Sequence, residues 1–168
     1  IGRWPVITAL DRLTPELAAQ ALALVDRATQ ADGLSPLSEH VLLHLRHGGD
    51  RADEHFLATD GDELVGYGHL DRTDAVHGPS AELAVDPSAR RQGIGRALVD
   101  AMSASTADGR LRLWAHGELA PAGALARSLG FTDVRVLWQM RRSLHAELPM
   151  PTWPPDVTVR TFLPGVDD

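Results

Sequence analysis

The 168-residue chain contains no cysteine. That absence excludes disulfides, cysteine–zinc sites and a thiol nucleophile. It also fits a reducing interior, so the cytoplasm is the expected location. Long apolar runs are missing too: none approaches the ~18–20 residues that span a bilayer, and no membrane partner is expected. Excess positive charge is lacking as well. With a net charge of −7 and no basic patch interleaved with aromatics, the chain has no face of the kind nucleic-acid phosphates require. Aromatics are few, and Tyr67 is the sole tyrosine, so a phenolic proton donor has one possible source. No initiating Met precedes Ile1 and no signal-peptide core follows it, so the chain reads as trimmed or as a fragment. Its length suits one full domain with a real core and is short for two.

What is present alternates in period. PVITAL (5–10) has the look of a short strand. Thr14, Pro15 and Glu16 then supply a cap, a first-turn proline and a first-turn acid. Leu17, Ala21, Leu24, Val25 and Ala28 recur at helical spacing, which predicts a helix over about 15–31. A second helix is expected in SPLSEHVLLHLRHGG, with Gly48-Gly49 as its exit. EHFLAT and ELVGYGHL, separated by Asp60-Gly61-Asp62, read as a hairpin. SAELAV (80–85) is a third strand in this run. A helix follows from Arg91 to about Ser105, with Ile94, Ala97, Leu98, Ala101 and Met102 on one stripe. RLRLWA, a small-residue helix in APAGALARSLGF, and a long strand or strand pair in VRVLWQMRRSL complete the pattern. The order predicts an α/β fold of layered α+β type, with helices flanking one mixed, mostly antiparallel sheet. We expect a domain over 1–144, a proline-rich linker over 145–156, and in 157–168 either the start of a second domain or a floppy tail.

The most informative stretch is VDPSARRQGIGRALVDAM. A helix N-terminus offers unpartnered backbone N–H groups and the positive end of the helix dipole. Glycine, having no Cβ, lets a diphosphate approach those groups. Arg90, Arg91 and Arg96 add positive charge around them. The expected ligand therefore carries phosphate. A P-loop is excluded, since no G-x-x-x-x-G-K-[ST] occurs. A Rossmann site is disfavoured because a third glycine is missing and the loop falls after a hairpin in mid-chain.

The R-x-x-G-x-G pattern, preceded by a strand ending Val-Asp-Pro and followed by LARSLGF and VLWQMRRSL, resembles the acyl-CoA motif of the GNAT superfamily of N-acetyltransferases. The resemblance implies the GNAT fold, acetyl-CoA as co-substrate, and no metal. It also implies that the pantetheine arm lies on the backbone of Leu83, Ala84 and Val85. The pyrophosphate would rest on the amides of Arg90, Arg91, Gln92, Gly93, Ile94 and Gly95. Several further runs, among them ATQADGLSPLSEHVL and LWAHGELAPAGALARSLGF, are similar to the N-terminal half of the actinobacterial mycothiol synthases. Those are tandem GNAT proteins that acetylate the cysteinyl amine of cysteinyl-glucosaminyl-inositol. That similarity implies a second GNAT domain in the same chain, and a substrate contact for Glu39, whose alternative reading is a helix-surface carboxylate. The candidate base is Glu82, acting directly or through a water; its alternative is a carboxylate on the solvent face of the strand. Members of the superfamily often place a tyrosine in the helix ahead of LGF as the acid that meets the CoA sulfur. Ala126 stands at that position here, and Tyr67 reads as a core or surface aromatic. The domain is thus expected to hold acetyl-CoA and to be catalytically weak or silent. A non-catalytic acetyl-CoA module and a stand-alone acetyltransferase for another small amine are the alternatives.

Other residues read more plainly. His40, His44 and His47 share a spacing that suits metal only if a third ligand arrives from elsewhere, and they are taken as a solvated helix face. His116 is either a cleft residue, acting as a base or substrate contact, or a satisfied loop histidine. Trp114 and Trp138 are expected in the core, and Arg141-Arg142 at an exposed strand end.

Overall fold

The computed structural model describes residues 5–49, 53–143, 145, 147 and 149–167. The chain divides into two compact units, 1–132 and 133–168.

In the first unit, β1 (Val6–Leu10) leads into α1 (Pro15–Asp32). The Thr14 side chain accepts the Leu17 N–H, and Gly33, at φ 72°, closes the helix by donating to Thr29 O. Ser38 likewise caps α2 (Glu39–His47) by accepting the Val41 N–H. A hairpin of β2 (Asp53–Asp60) and β3 (Glu63–Asp71) follows, then β4 (Ser80–Val85). A 3-10 turn over Pro87–Ala89 leads to α3 (Ile94–Ala104), β5 (Arg112–Leu113) and α4 (Ala120–Ser128).

The five strands lie in chain order; the first four are antiparallel neighbours, and β5 runs parallel to β4. One face is covered by the apolar stripes of α1 and α2, where Leu24, Val25, Val41 and Leu45 pack with Leu57, Tyr67 and Ala84. On the other face α3 contributes Ile94, Leu98, Val99 and Met102 against Phe56, Ala58 and Ala81. Strand β3 is buried without a break from Leu64 to Leu70, because helices cover both its faces. Gly66 explains how closely α3 approaches it. A Cβ there would lie 2.8 Å from Ile94 Cγ2 and 3.1 Å from Leu98 Cδ1. No helix among the described residues is long and apolar enough to cross a membrane.

The C-terminal expectations are not met. RLRLWA contributes a two-residue strand only. Among its described residues the 133–168 unit has no helix or strand, so neither VRVLWQMRRSL nor VTVRTF is a strand here. So short a unit cannot bury a core of its own. Trp138 is accordingly 82% exposed rather than in the core. Asp167 pairs with Arg160 and accepts the Leu163 N–H at 2.8 Å, closing a local turn. Trp114, expected in the core, is half-buried just past the end of β5.

Gly66→Ala should lower stability by about 1–3 kcal/mol, the usual cost of overpacking. A urea midpoint equal to that of the parent protein would contradict this seating of α3 on β3.

Candidate functional site

Strand β5 accompanies β4 only where Ser80 faces Arg112 and Ala81 faces Leu113. Trp114 N–H then reaches Ala81 O at 3.0 Å. From Glu82 to Val85, β4 has a strand partner on the β3 side alone among the described residues. The Asp86 N–H donates to Val65 O at 2.9 Å, which turns the even-numbered amides of β4 toward β3. The peptide groups of Leu83 and Val85 therefore point to the open side. That is an edge able to accept an extended amide-bearing chain in place of a strand. Leu83 and Val85 thus present backbone to that edge, whereas Ala84, an even-numbered residue, turns its peptide groups toward β3.

The edge runs directly into a rebuilt helix entrance. Asp86 accepts from Ser88 N and Ser88 Oγ, at 2.9 and 2.6 Å, and fixes the 3-10 turn. Arg91 (φ 65°) and Gly93 (φ 87°) both occupy left-handed backbone conformations, which costs little at glycine and is strained at arginine. The first bond within α3 runs from Ala97 N–H to Gly93 O. The N–H groups of Ile94, Gly95 and Arg96 are thus without intrahelical partners at the positive end of the helix dipole. Gly95 has a second duty: a Cβ there would lie 3.0 Å from Leu125 Cδ2 of α4.

The arginines behave differently from expectation. Arg90 forks onto Asp32, with both nitrogen–oxygen distances 2.8 Å, and its Nε donates to Val85 O at 3.2 Å. Its charge is spent on α1 rather than offered to a ligand. Arg96 donates to Ser128 Oγ at 3.0 Å. Arg91 and Gln92 are exposed at the entrance. A second ion pair, Arg27 to Asp86 at 2.6 Å, ties α1 to the same loop. The Arg90 hydrogen bond holds the Asp32 carboxyl below its ordinary value, and Arg90 is raised in turn. The cradle is therefore built of backbone amides and braced by salt bridges.

Glu82 is buried, not on a solvent face; its relative exposure is 8%. One oxygen, Oε2, accepts the Ser38 N–H at 2.6 Å and lies 3.2 Å from His116 Nε2. Burial pushes the carboxyl up, but His116 and the Ser38 amide outweigh it and leave the pKa lowered. The Glu82 carboxylate raises His116 above the ordinary histidine value. The site therefore pairs a carboxylate with an imidazole, and the same contacts that lower Glu82 make it a weaker base. Sequence reasoning named both residues without pairing them and did not single out Ser38. Glu39, next to Ser38, is exposed.

Tyr67 is fully buried, and its hydroxyl lies 2.8 Å from His55 Nδ1. Burial pushes its phenol up, so it is a core residue. Ala126 is half-buried on α4 and has no proton to give.

Residues 51–133 match the acetyltransferase (GNAT) domain family. The chain carries a GNAT domain. A GNAT-family acetyltransferase from Streptococcus pneumoniae superposes with a TM-score of 0.56 at 26% identity, covering 82% of this chain and 99% of that one. An aminoglycoside N-acetyltransferase solved with CoA gives a TM-score of 0.58 at 16% identity, covering 85% of this chain and 99% of its own, which speaks to the fold. The mycothiol acetyltransferase of Acidothermus cellulolyticus is 58% identical over 160 residues, covering 94% of this chain and 49% of the relative. The GNAT chain thus spans about half the length of the curated relatives it matches.

Replacing Arg90 with Met should destabilise the GNAT domain by about 1–3 kcal/mol at pH 7, since it strands a largely buried Asp32 carboxylate. Because Asp32 is lowered from an ordinary 3.8, the pair's contribution is complete above that pH and is lost as pH falls through the lower folded-state value. Urea titrations at pH 7 and pH 3 should show the variant's deficit shrink in acid; a deficit that stayed constant would contradict the pairing.

Proposed function

We propose that this chain is the acetyl-CoA-binding N-terminal part of an N-acetyltransferase of mycothiol biosynthesis. The whole enzyme would transfer acetyl to the cysteinyl amine of cysteinyl-glucosaminyl-inositol. The observation that carries the reading is the continuity of two features: the one-sided edge of β4 past Ala81 and the amide-lined entrance of α3. The first suits an amide-bearing pantetheine arm and the second a pyrophosphate. Bound acetyl-CoA supplies an activated thioester for a neutral amine to attack.

This chain's residues divide the work unevenly. The backbone of Leu83 and Val85 on the open edge, with Ala84 between them paired to β3, and the amides from Arg90 to Gly95 would hold and orient the donor. Glu82, held as a carboxylate by Ser38 and His116, takes up a proton poorly. An α-amino group with a pKa near ~7.7–8 already has a neutral fraction at pH 7, so it asks little of a base. A proton donor for a departing thiolate is the missing part: Ala126 has none and Tyr67 is buried. We therefore read this domain as a holder of acetyl-CoA that is catalytically weak or silent. The transfer would belong to a second GNAT domain, which 157–168 would begin after the proline-rich 145–156. Glu39, exposed at the start of α2, would contact the polyhydroxyl substrate.

Acetyl-CoA should raise the melting temperature, by an amount corresponding to about 2.7 kcal/mol at 100 times its Kd. Gly93→Val should abolish the shift, because a β-branched residue resists the left-handed backbone and crowds the amides. No shift at millimolar acetyl-CoA would refute the binding assignment. Robust acetylation of cysteinyl-glucosaminyl-inositol by this chain alone, lost in Glu82→Gln, would show instead that the domain is catalytic.

A further inference from the structure

On the far side of α2 from Ser38 lies a cluster that acetyl transfer does not use. His44 of α2 points inward, with its side chain 14% exposed, and its Nδ1 is 2.7 Å from Asp53 Oδ2. His69 of β3 is 1% exposed, and its Nε2 is 3.8 Å from Asp53 Oδ1. One ligand atom from each of the three residues fits within a 4.8 Å spread. The solvated-face reading of His44 is thus corrected: the third ligand that spacing along α2 could not supply comes from the sheet.

Two observations point to a ligand here. Neither ring nitrogen of His69 has a hydrogen-bond partner among the described residues, although the ring is almost wholly buried. Buried polar atoms are ordinarily satisfied. Gly49 passes directly over the cluster; a Cβ there would collide with Asp53 Oδ2 and lie 3.3 Å from His44 Nδ1. The backbone thus closes tightly on these ligand atoms. A cleft of ≈ 400 Å³ lies against the His44 side of the cluster, lined in part by His44, His55, Asp11 and Gly49.

We propose that His44, Asp53 and His69 form a binding site for a divalent transition-metal ion, zinc being the best fit. Two imidazoles and a carboxylate are a mixed nitrogen–oxygen set, unlike the all-oxygen sets that magnesium and calcium take. Water fills the fourth position. The ion ties α2 to β2 and β3, a structural role distinct from acetyl-CoA binding.

The test uses the untagged full chain after chelator treatment and dialysis. Isothermal titration with zinc should give one equivalent bound, with a rise in melting temperature, and cobalt should give the visible absorption bands of a low-coordinate nitrogen–oxygen site. His44→Gln and His69→Asn should each weaken zinc binding by more than about 10–100-fold. His44 is only partly buried, so its variant keeps the test valid if His69→Asn fails to fold by circular dichroism. The double variant His40→Gln/His47→Gln should bind normally. The proposal is overturned if no stoichiometric zinc binds. It is equally overturned if binding survives His44→Gln and disappears in the double variant, which would mean chelation on the surface of α2. An acetyl-CoA melting shift measured in parallel reports separately on the cradle.

Discussion

Two residue pairs, Ser80 with Arg112 and Ala81 with Leu113, hold β5 to β4, and the candidate chemistry lies beyond them. Had the pairing continued, the peptide groups of Leu83 and Val85 would be consumed by a neighbouring strand, as a sheet interior requires. Because it stops, an edge is left within the sheet rather than at its margin. The Val85 carbonyl is not left bare, since the Arg90 Nε donates to it. The same arginine grips Asp32 at the end of α1. One side chain therefore both finishes the open edge and locates the loop that starts α3.

This arrangement bears on how so acidic a chain would bind an anionic ligand. The arginines near the loop do not supply the attraction by charge alone, because Arg90 is neutralised by Asp32 and Asp86 within the loop brings its own negative charge. What remains are oriented amides at a helix entrance, and these act at short range with little dependence on net charge. Their aim depends on Gly93 in its left-handed conformation and on α3 seated low against Gly66. The packing of the far face of β3 thus sets the geometry of the anion cradle, a link from core to site that no single residue carries.

Much of this was legible in the chain, and the failures share a cause. SAELAV is a strand with the boundaries its apolar character suggested, and the cap at Thr14 acts as its residue type implies, because these are local effects. The exit of Arg90 from the ligand site was not legible: its partner lies 58 residues away, and R-x-x-G-x-G gives no hint of Asp32. Alternation marked Glu82 as a candidate for solvent, yet the start of α2 covers that face of β4 and supplies the Ser38 amide. His44 was misread for the complementary reason, since helical spacing identifies which residues share a face and not what that face meets. Over 134–143 the apolar pattern favours a strand, but a strand also needs a paired edge and a covered face. The described structure supplies neither within that unit.

Helix α2 connects these errors. It is nine residues long, too short to hold itself by propensity, and must be fixed by what it touches. Val41 and Leu45 anchor it apolarly. At its N-terminal end the Ser38 amide meets Glu82; toward its C-terminal end His44 meets Asp53. Both contacts involve carboxylates on the sheet, one on β4 and one on β2, so the short helix spans the strand between them. A shift of α2 would alter the Glu82 environment and the histidine cluster together. The lowered Glu82 and the exposed position of Glu39 are then consequences of how this helix is pinned, which is why neither could be inferred from β4 or from the loop motif alone.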